Sequence, residues 1–267
     1  MAKHSFSNQL NLDFLVSNSS KHRNYMALLL KNGAIFLHIP KTGGSWVSRV
    51  LWECDLVEKR LGYKHDDFRR ALYPQNYQAQ ASRVIKRLPS KVAEKVGLKP
   101  LKQNSRKSEE FPYTFCFVRH PLSWYESFFK FQQSLGWPYW GNENDYTETW
   151  HPNAMLNGLG DQDFNQFVCN VIDKRPGYVT EMYGWYTPPS ISFVGKQENL
   201  VYDLIQILSK LNVEFDKGKV LEMARGHVNS SPKTLINWDE YLKKKVEELE
   251  HISLLRYGYT NKQFSDT

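Results

Sequence analysis

The chain has 267 residues, 41% hydrophobic and 14% aromatic, with a formal net charge of +7. That length suffices for one α/β domain with a sizeable core. A mean hydropathy of −0.58, with no apolar run of membrane-spanning length, excludes an integral membrane protein from the expected classes.

Residues 1–32 read as a polar lead-in with one apolar patch, Met26–Leu30, stopped by Lys31. No charged-then-apolar leader opens the chain, so no membrane insertion is expected and a cytoplasmic location is. Ala34–Leu37 is a short apolar strand, and His38-Ile39-Pro40-Lys41-Thr42-Gly43-Gly44-Ser45-Trp46 follows it before an amphipathic run, Val47 to Trp52. Strand, tight loop, helix is the order of a phosphate cradle. Adjacent glycines let backbone N–H groups turn toward an anion, the helix N-terminus adds partial positive charge, and Lys41 adds a full one. The Walker A pattern, G-x-x-x-x-G-K-[ST], is not met, because Lys41 precedes the glycines.

Between Arg83 and Lys107 lie nine basic residues against Glu94 alone, a segment net of +8 that leaves −1 for the remainder. Arg83, Arg87, Lys91 and Lys95 recur every fourth residue, the pattern of an amphipathic helix restarted at Pro89. This is a solvated basic face or a patch that attracts an anionic acceptor or donor; no nucleic-acid readout motif accompanies it. Lys99–Glu110 reads as an exposed linker.

A second strand, Thr114–Val118, ends in Arg119, and Pro121 suits the first turn of a helix that carries Ser127. Arginine recognises phosphate bidentately and a serine hydroxyl adds one bond. Gly136–Gly160 is irregular, rich in tryptophan and tyrosine, and forms a candidate acceptor-side lid. Helices are predicted near Asp163–Ile172, Glu198–Leu211 and Trp238–Glu250, with a strand at Ile191–Val194. The three cysteines, Cys54, Cys116 and Cys169, sit among apolar neighbours and read as reduced, buried thiols. Neither they nor the eight histidines have metal-ligand spacing, so no metal is expected.

At Pro40–Trp46 and at Arg119 with Ser127 eight residues later, the chain resembles the sulfotransferases that use 3′-phosphoadenosine 5′-phosphosulfate (PAPS). The His-Ile-Pro-Lys-Thr-Gly-Gly form is most similar to the branch with many carbohydrate sulfotransferases. Phe193–Leu200 and Arg256–Tyr259 are two looser likenesses. The resemblance implies a single α/β domain with a central, mostly parallel sheet flanked by helices, in a P-loop-like nucleotide-binding fold. It implies sulfuryl transfer from PAPS to a hydroxyl, of a carbohydrate first, with a small phenol, a lipid alcohol or a peptide tyrosine as the other acceptors, leaving adenosine 3′,5′-bisphosphate (PAP) and requiring no metal.

By that likeness Lys41 offsets charge on the leaving phosphate. The N–H groups from Thr42 to Ser45, including Gly43 and Gly44, hold the 5′-phosphate with the Thr42 and Ser45 hydroxyls. Arg119 and Ser127 hold the 3′-phosphate. Trp46 either stacks on adenine or packs in the core. His65, beside Asp66 and Asp67, is the first candidate base, followed by Glu53 and Asp55, while His38 and His120 adjoin the donor motifs. Arg225–Lys233 is a candidate loop over the nucleotide. A nucleotide kinase or other NTP-dependent phosphotransferase, and a non-catalytic nucleotide- or polyanion-binding protein, are the rival readings.

Overall fold

A computed structural model of the protein describes residues 26–72, 112–141, 150–225 and 236–260. The basic segment 83–107, the linker 99–110, the tip of the candidate lid at 142–149 and the candidate nucleotide loop from 226 to 233 lie outside the described residues.

Five strands form one sheet: β1 (Met26–Leu30), β2 (Ile35–Phe36), β3 (Val57–Lys64), β4 (Thr114–Val118) and β5 (Phe193–Lys196), in the order β3-β1-β2-β4-β5. Their apolar alternation explains the placement. Ile35 and Leu37 join one core with Cys116 and Val118, while Phe36 joins a second core with Phe115 and Phe117. These strands are buried on both faces, as a sheet between helical layers requires. Helices α1 (Gly44–Glu53) and α6 (Leu200–Lys210) cover the Phe36 face. The other face carries α3 (Pro121–Ser134), α4 (Phe164–Lys174), α5 (Tyr178–Tyr186) and α8 (Glu240–Leu249). Shorter helices are α2 (Phe68–Leu72), α7 (Lys217–Arg225) and α9 (His251–Arg256). Asp163 and Asp239 cap α4 and α8 by accepting the Gln166 and Leu242 N–H groups, each at 2.8 Å.

The sheet is mixed, which corrects the expectation of a mostly parallel one. β2–β4 and β4–β5 run parallel, whereas β1 pairs antiparallel with both β2 and β3. The cause is local. Gly33, at φ +86°, reverses the chain between β1 and β2, and Leu30 and Ala34 close the turn with an N–H···O bond of 2.8 Å. A two-way hairpin needs only such a turn, whereas parallel neighbours need a crossover. The lead-in therefore ends in a sheet strand, and β3 is a charged edge strand carrying Glu58, Lys59 and Arg60, which blunt its open side. Among the described residues, no helix is long and apolar enough to cross a membrane.

Candidate anion-binding site

The C-terminal ends of the parallel strands β2 and β4 lie side by side, which brings the loop after Phe36 against Arg119. Such strand ends are where open α/β sheets receive ligands. The loop enters α1 through Gly43, in the left-handed region at φ +86°, preceded by Lys41 at φ +65°. Residues 40–43 form a turn, yet no backbone N–H from Thr42 to Ser45 makes a well-formed hydrogen bond among the described residues, so the first donors of α1 are candidates to meet an anion. Trp124 on α3 donates its indole N–H to the Pro40 carbonyl at 3.0 Å and ties the loop down.

The two glycines have separate causes. Gly43 supplies the left-handed turn. Gly44 is required by its neighbour: a Cβ there would lie 2.0 Å from Cδ2 of the His38 ring. Thr42 is buried and donates its hydroxyl hydrogen to the Ile39 carbonyl at 3.0 Å, so here it shapes the loop rather than facing out. Ser45 is exposed at the first turn of α1.

Lys41 and Arg119 form the electrostatic centre. Burial, and then the neighbouring Arg119 guanidinium, bring the Lys41 ammonium down from 10.5 to about 8. Burial lowers Arg119 as well. Arg119 Nη1 donates to the Lys41 carbonyl at 3.5 Å, and its buried Nε–H has no acceptor among the described residues. Two cations held together, one with an idle donor, make this a candidate place for an anion. Tyr183 fixes the Arg119 peptide, accepting its N–H at 3.0 Å and donating to its carbonyl at 2.7 Å. Behind it, Glu198 accepts the His120 N–H at 2.8 Å and the Tyr259 hydroxyl at 2.9 Å, and Lys196 Nζ donates to the Gly258 carbonyl at 3.0 Å. The two looser segments, Phe193–Leu200 and Arg256–Tyr259, thus meet beside Arg119.

Ser127 lies on α3 one turn before Phe131, and the Lys41 ammonium sits 4.0 Å above the Phe131 ring. Residues i and i+4 share a helix face, so Ser127 is on the face that Lys41 reaches. Trp46 is 2% exposed, packs in the core with Phe117 and Leu204, and donates its indole N–H to the Met223 carbonyl at 3.4 Å.

His65 is buried at φ +62° with Nδ1 3.0 Å from the His38 carbonyl. A carbonyl only accepts, so Nδ1 carries the hydrogen and Nε2 is the basic nitrogen. Its ring stands edge-on to His38 at 4.6 Å and to His151 at 4.9 Å, and Trp140 stacks on His151 at 4.9 Å. Trp140 also stacks on Phe131 at 6.0 Å, so this ring column runs from the lid segment to the cradle. Glu53 and Asp55 lie at the far end of α1, paired with Lys219 and Lys31. A ten-residue helix puts them about 15 Å from the cradle. The residues that the sequence did not single out here are Tyr183, Phe131 and His151. Only tertiary placement marks them, although the Trp-His-Pro run at 150–152 is the one local signal for His151.

The fold is a mixed α/β one, with a candidate anion cradle at the ends of its parallel strands. No protein-family model, curated protein or solved structure matches this chain.

Proposed function

We propose that the chain is a sulfotransferase that moves a sulfuryl group from PAPS to an acceptor hydroxyl, with a carbohydrate as the leading acceptor class. The observation that carries the reading is the pairing of Lys41 with Arg119, two half-buried cations at adjoining strand ends, beside the candidate N–H donors at the start of α1. A nucleotide bearing phosphate at both its 3′ and 5′ positions offers one anion to each.

In the reaction, a bond forms between the acceptor oxygen and sulfur as the bond from sulfur to the phosphate oxygen breaks, leaving PAP. Lys41 offsets the charge that grows on that phosphate oxygen, and the cradle N–H groups act on the same developing charge. Arg119 and Ser127 hold the 3′-phosphate. His65, with Nδ1 committed to the His38 carbonyl, takes the acceptor proton at Nε2.

The test is calorimetric binding of PAP against ATP and ADP, followed by transfer from labelled PAPS onto an acceptor panel. PAP binds and the other two do not; Arg119→Met weakens PAP by about 10–100-fold, the loss of a charge-assisted pair. Binding of ATP in preference to PAP would turn the reading to a phosphotransferase. PAP binding without turnover on any acceptor would leave a nucleotide-binding protein.

A further inference from the structure

Lys41 differs from a surface lysine in what surrounds its amine. The residue is half-buried rather than sealed, and its Nζ rests 4.0 Å above the face of the Phe131 ring. Among the described residues no carboxylate pairs with it, and the charge that acts on it is the Arg119 guanidinium. Arg119 is held close by its Nη1, which lies 3.5 Å from the Lys41 carbonyl. An aromatic face below and a second cation beside it both work against the ammonium form.

Desolvation beside another cation is the arrangement that makes a lysine amine a nucleophile near neutral pH. With the Lys41 ammonium brought down to about 8, roughly a quarter of the amine is neutral at pH 7.5, against about one in a thousand for a solvated lysine. Its lower basicity gives back part of that advantage. The same surroundings select the reagent. Arg119 and the first N–H groups of α1 present positive charge to an anion. An electrophile that carries a phosphate is therefore drawn in by its phosphate, which brings its reactive carbon to the amine. The Phe131 ring supplies an apolar wall for a short acyl chain.

We propose that Lys41 is a modification site for acyl phosphates, the mixed anhydrides of a short carboxylic acid and phosphate. The amine lone pair attacks the carbonyl carbon and a carbon–nitrogen bond forms. The bond from that carbon to the phosphate oxygen breaks, orthophosphate leaves with the electron pair, and the amine proton passes to it or to water. The product is a neutral amide, which removes the charge and the cation–π contact with Phe131. Modification thereby switches off the cradle for any later anion. This goes beyond sulfuryl transfer: it rests on the cradle attracting an anion, and not on PAPS being that anion.

The experiment incubates the full chain with acetyl phosphate at pH 7.5 and follows each lysine by peptide mass spectrometry. Lys41 is acetylated about 10–100-fold faster than Lys59 and Lys244, two exposed lysines. Inorganic phosphate slows Lys41 and leaves the other two unchanged. Acetylimidazole, which carries no phosphate, shows a smaller preference for Lys41. Arg119→Met slows Lys41 about tenfold or more, with circular dichroism to confirm that it folds. Modification of Lys41 at the rate of Lys59 and Lys244, no protection by phosphate, or an unchanged Lys41 rate in folded Arg119→Met would overturn the proposal. Phosphate protection is read on the unaltered protein, so it decides the matter even where the variant does not fold. Failure of PAP to bind would strike the sulfotransferase reading and leave these rates as they are.

Discussion

Binding of PAP at pH 8 should draw a proton onto Lys41. Burial and Arg119 hold the Lys41 ammonium at about 8 against an ordinary 10.5, and no carboxylate contributes to offset them. The difference corresponds to at most about 3 kcal/mol against the charged form. Because the folded value lies below the unfolded one, the unfolded chain holds more protons between pH 8 and 10.5. The penalty on the free protein is therefore full below pH 8 and relieved as pH rises through that window. A bound dianion reverses the balance and returns Lys41 toward its ordinary value. Proton uptake is then near zero at pH 6.5, about half a proton at pH 8 and close to one at pH 9. The ligand phosphates, with a second ionisation near 6, contribute little there. Calorimetry in buffers of low and high ionisation enthalpy measures the uptake directly. The reasoning fails if the observed enthalpy at pH 8–9 is independent of buffer, or if Lys41→Met shows the same uptake as wild type.

Three further substitutions probe the supports of the site. Gly44→Ala drives a methyl into the His38 ring and should lower stability by about 1–3 kcal/mol, read from the urea midpoint; an unchanged midpoint would show that His38 yields freely. His65→Asn should reduce turnover on the authentic acceptor by about 10²–10⁴ and flatten the limb of the pH–rate profile set by the base, with PAP affinity retained. Glu250→Gln should cost about 2–4 kcal/mol of stability, because the buried carboxylate accepts four bonds, from Tyr125, Val179 and the N–H and hydroxyl of Thr180. Burial raises the Glu250 pKa, so its contribution to stability falls as pH rises from 4.5 through the folded value. The glutamine variant should lose that slope in a pH series of urea titrations.

The parts of this structure that were legible in the sequence are those written in consecutive residues. Thr114–Val118 is a strand at the bounds expected, and Pro121 begins α3 as its fixed φ demands. The cradle is legible because turn, glycines and lysine share one short run. Strand β1 was obscured because its five apolar residues follow a polar stretch, and their strand character comes from pairing with β2 and β3 on both sides. In β3 the run Glu58-Lys59-Arg60 hides the strand, since an edge position permits charges that a central strand would not. Gly44 carried a reason that no local reading supplies: its missing Cβ makes room for a ring six residues earlier. His151 reaches His65 across 86 positions, and Tyr183 reaches Arg119 across 64. Such contacts follow from the crossover between β4 and β5, not from any spacing in the chain.

Glu198 poses a question that the geometry answers. A carboxylate beside Arg119 ought to neutralise the guanidinium and compete with an incoming phosphate. Instead both of its oxygens are engaged by neutral donors, Oε1 by the His120 N–H and Oε2 by the Tyr259 hydroxyl. Burial, followed by Glu198 itself, pushes the Tyr259 phenol far up, so it stays protonated and keeps donating. Lys196, with Nζ on the Gly258 carbonyl and 4.7 Å from the Tyr259 ring, braces that tyrosine rather than meeting ligand. Tyr259→Phe removes one donor from Glu198 and leaves an oxygen able to turn to Arg119. PAP affinity should fall about tenfold, with a stability change of no more than about 1 kcal/mol because the bond is exposed. Tyr259→Phe with Glu198→Gln should recover most of the loss, since the competing charge is then gone. If the single variant bound PAP as wild type does, or the double variant recovered nothing, Glu198 would be a plain structural acceptor with no part in keeping Arg119 available.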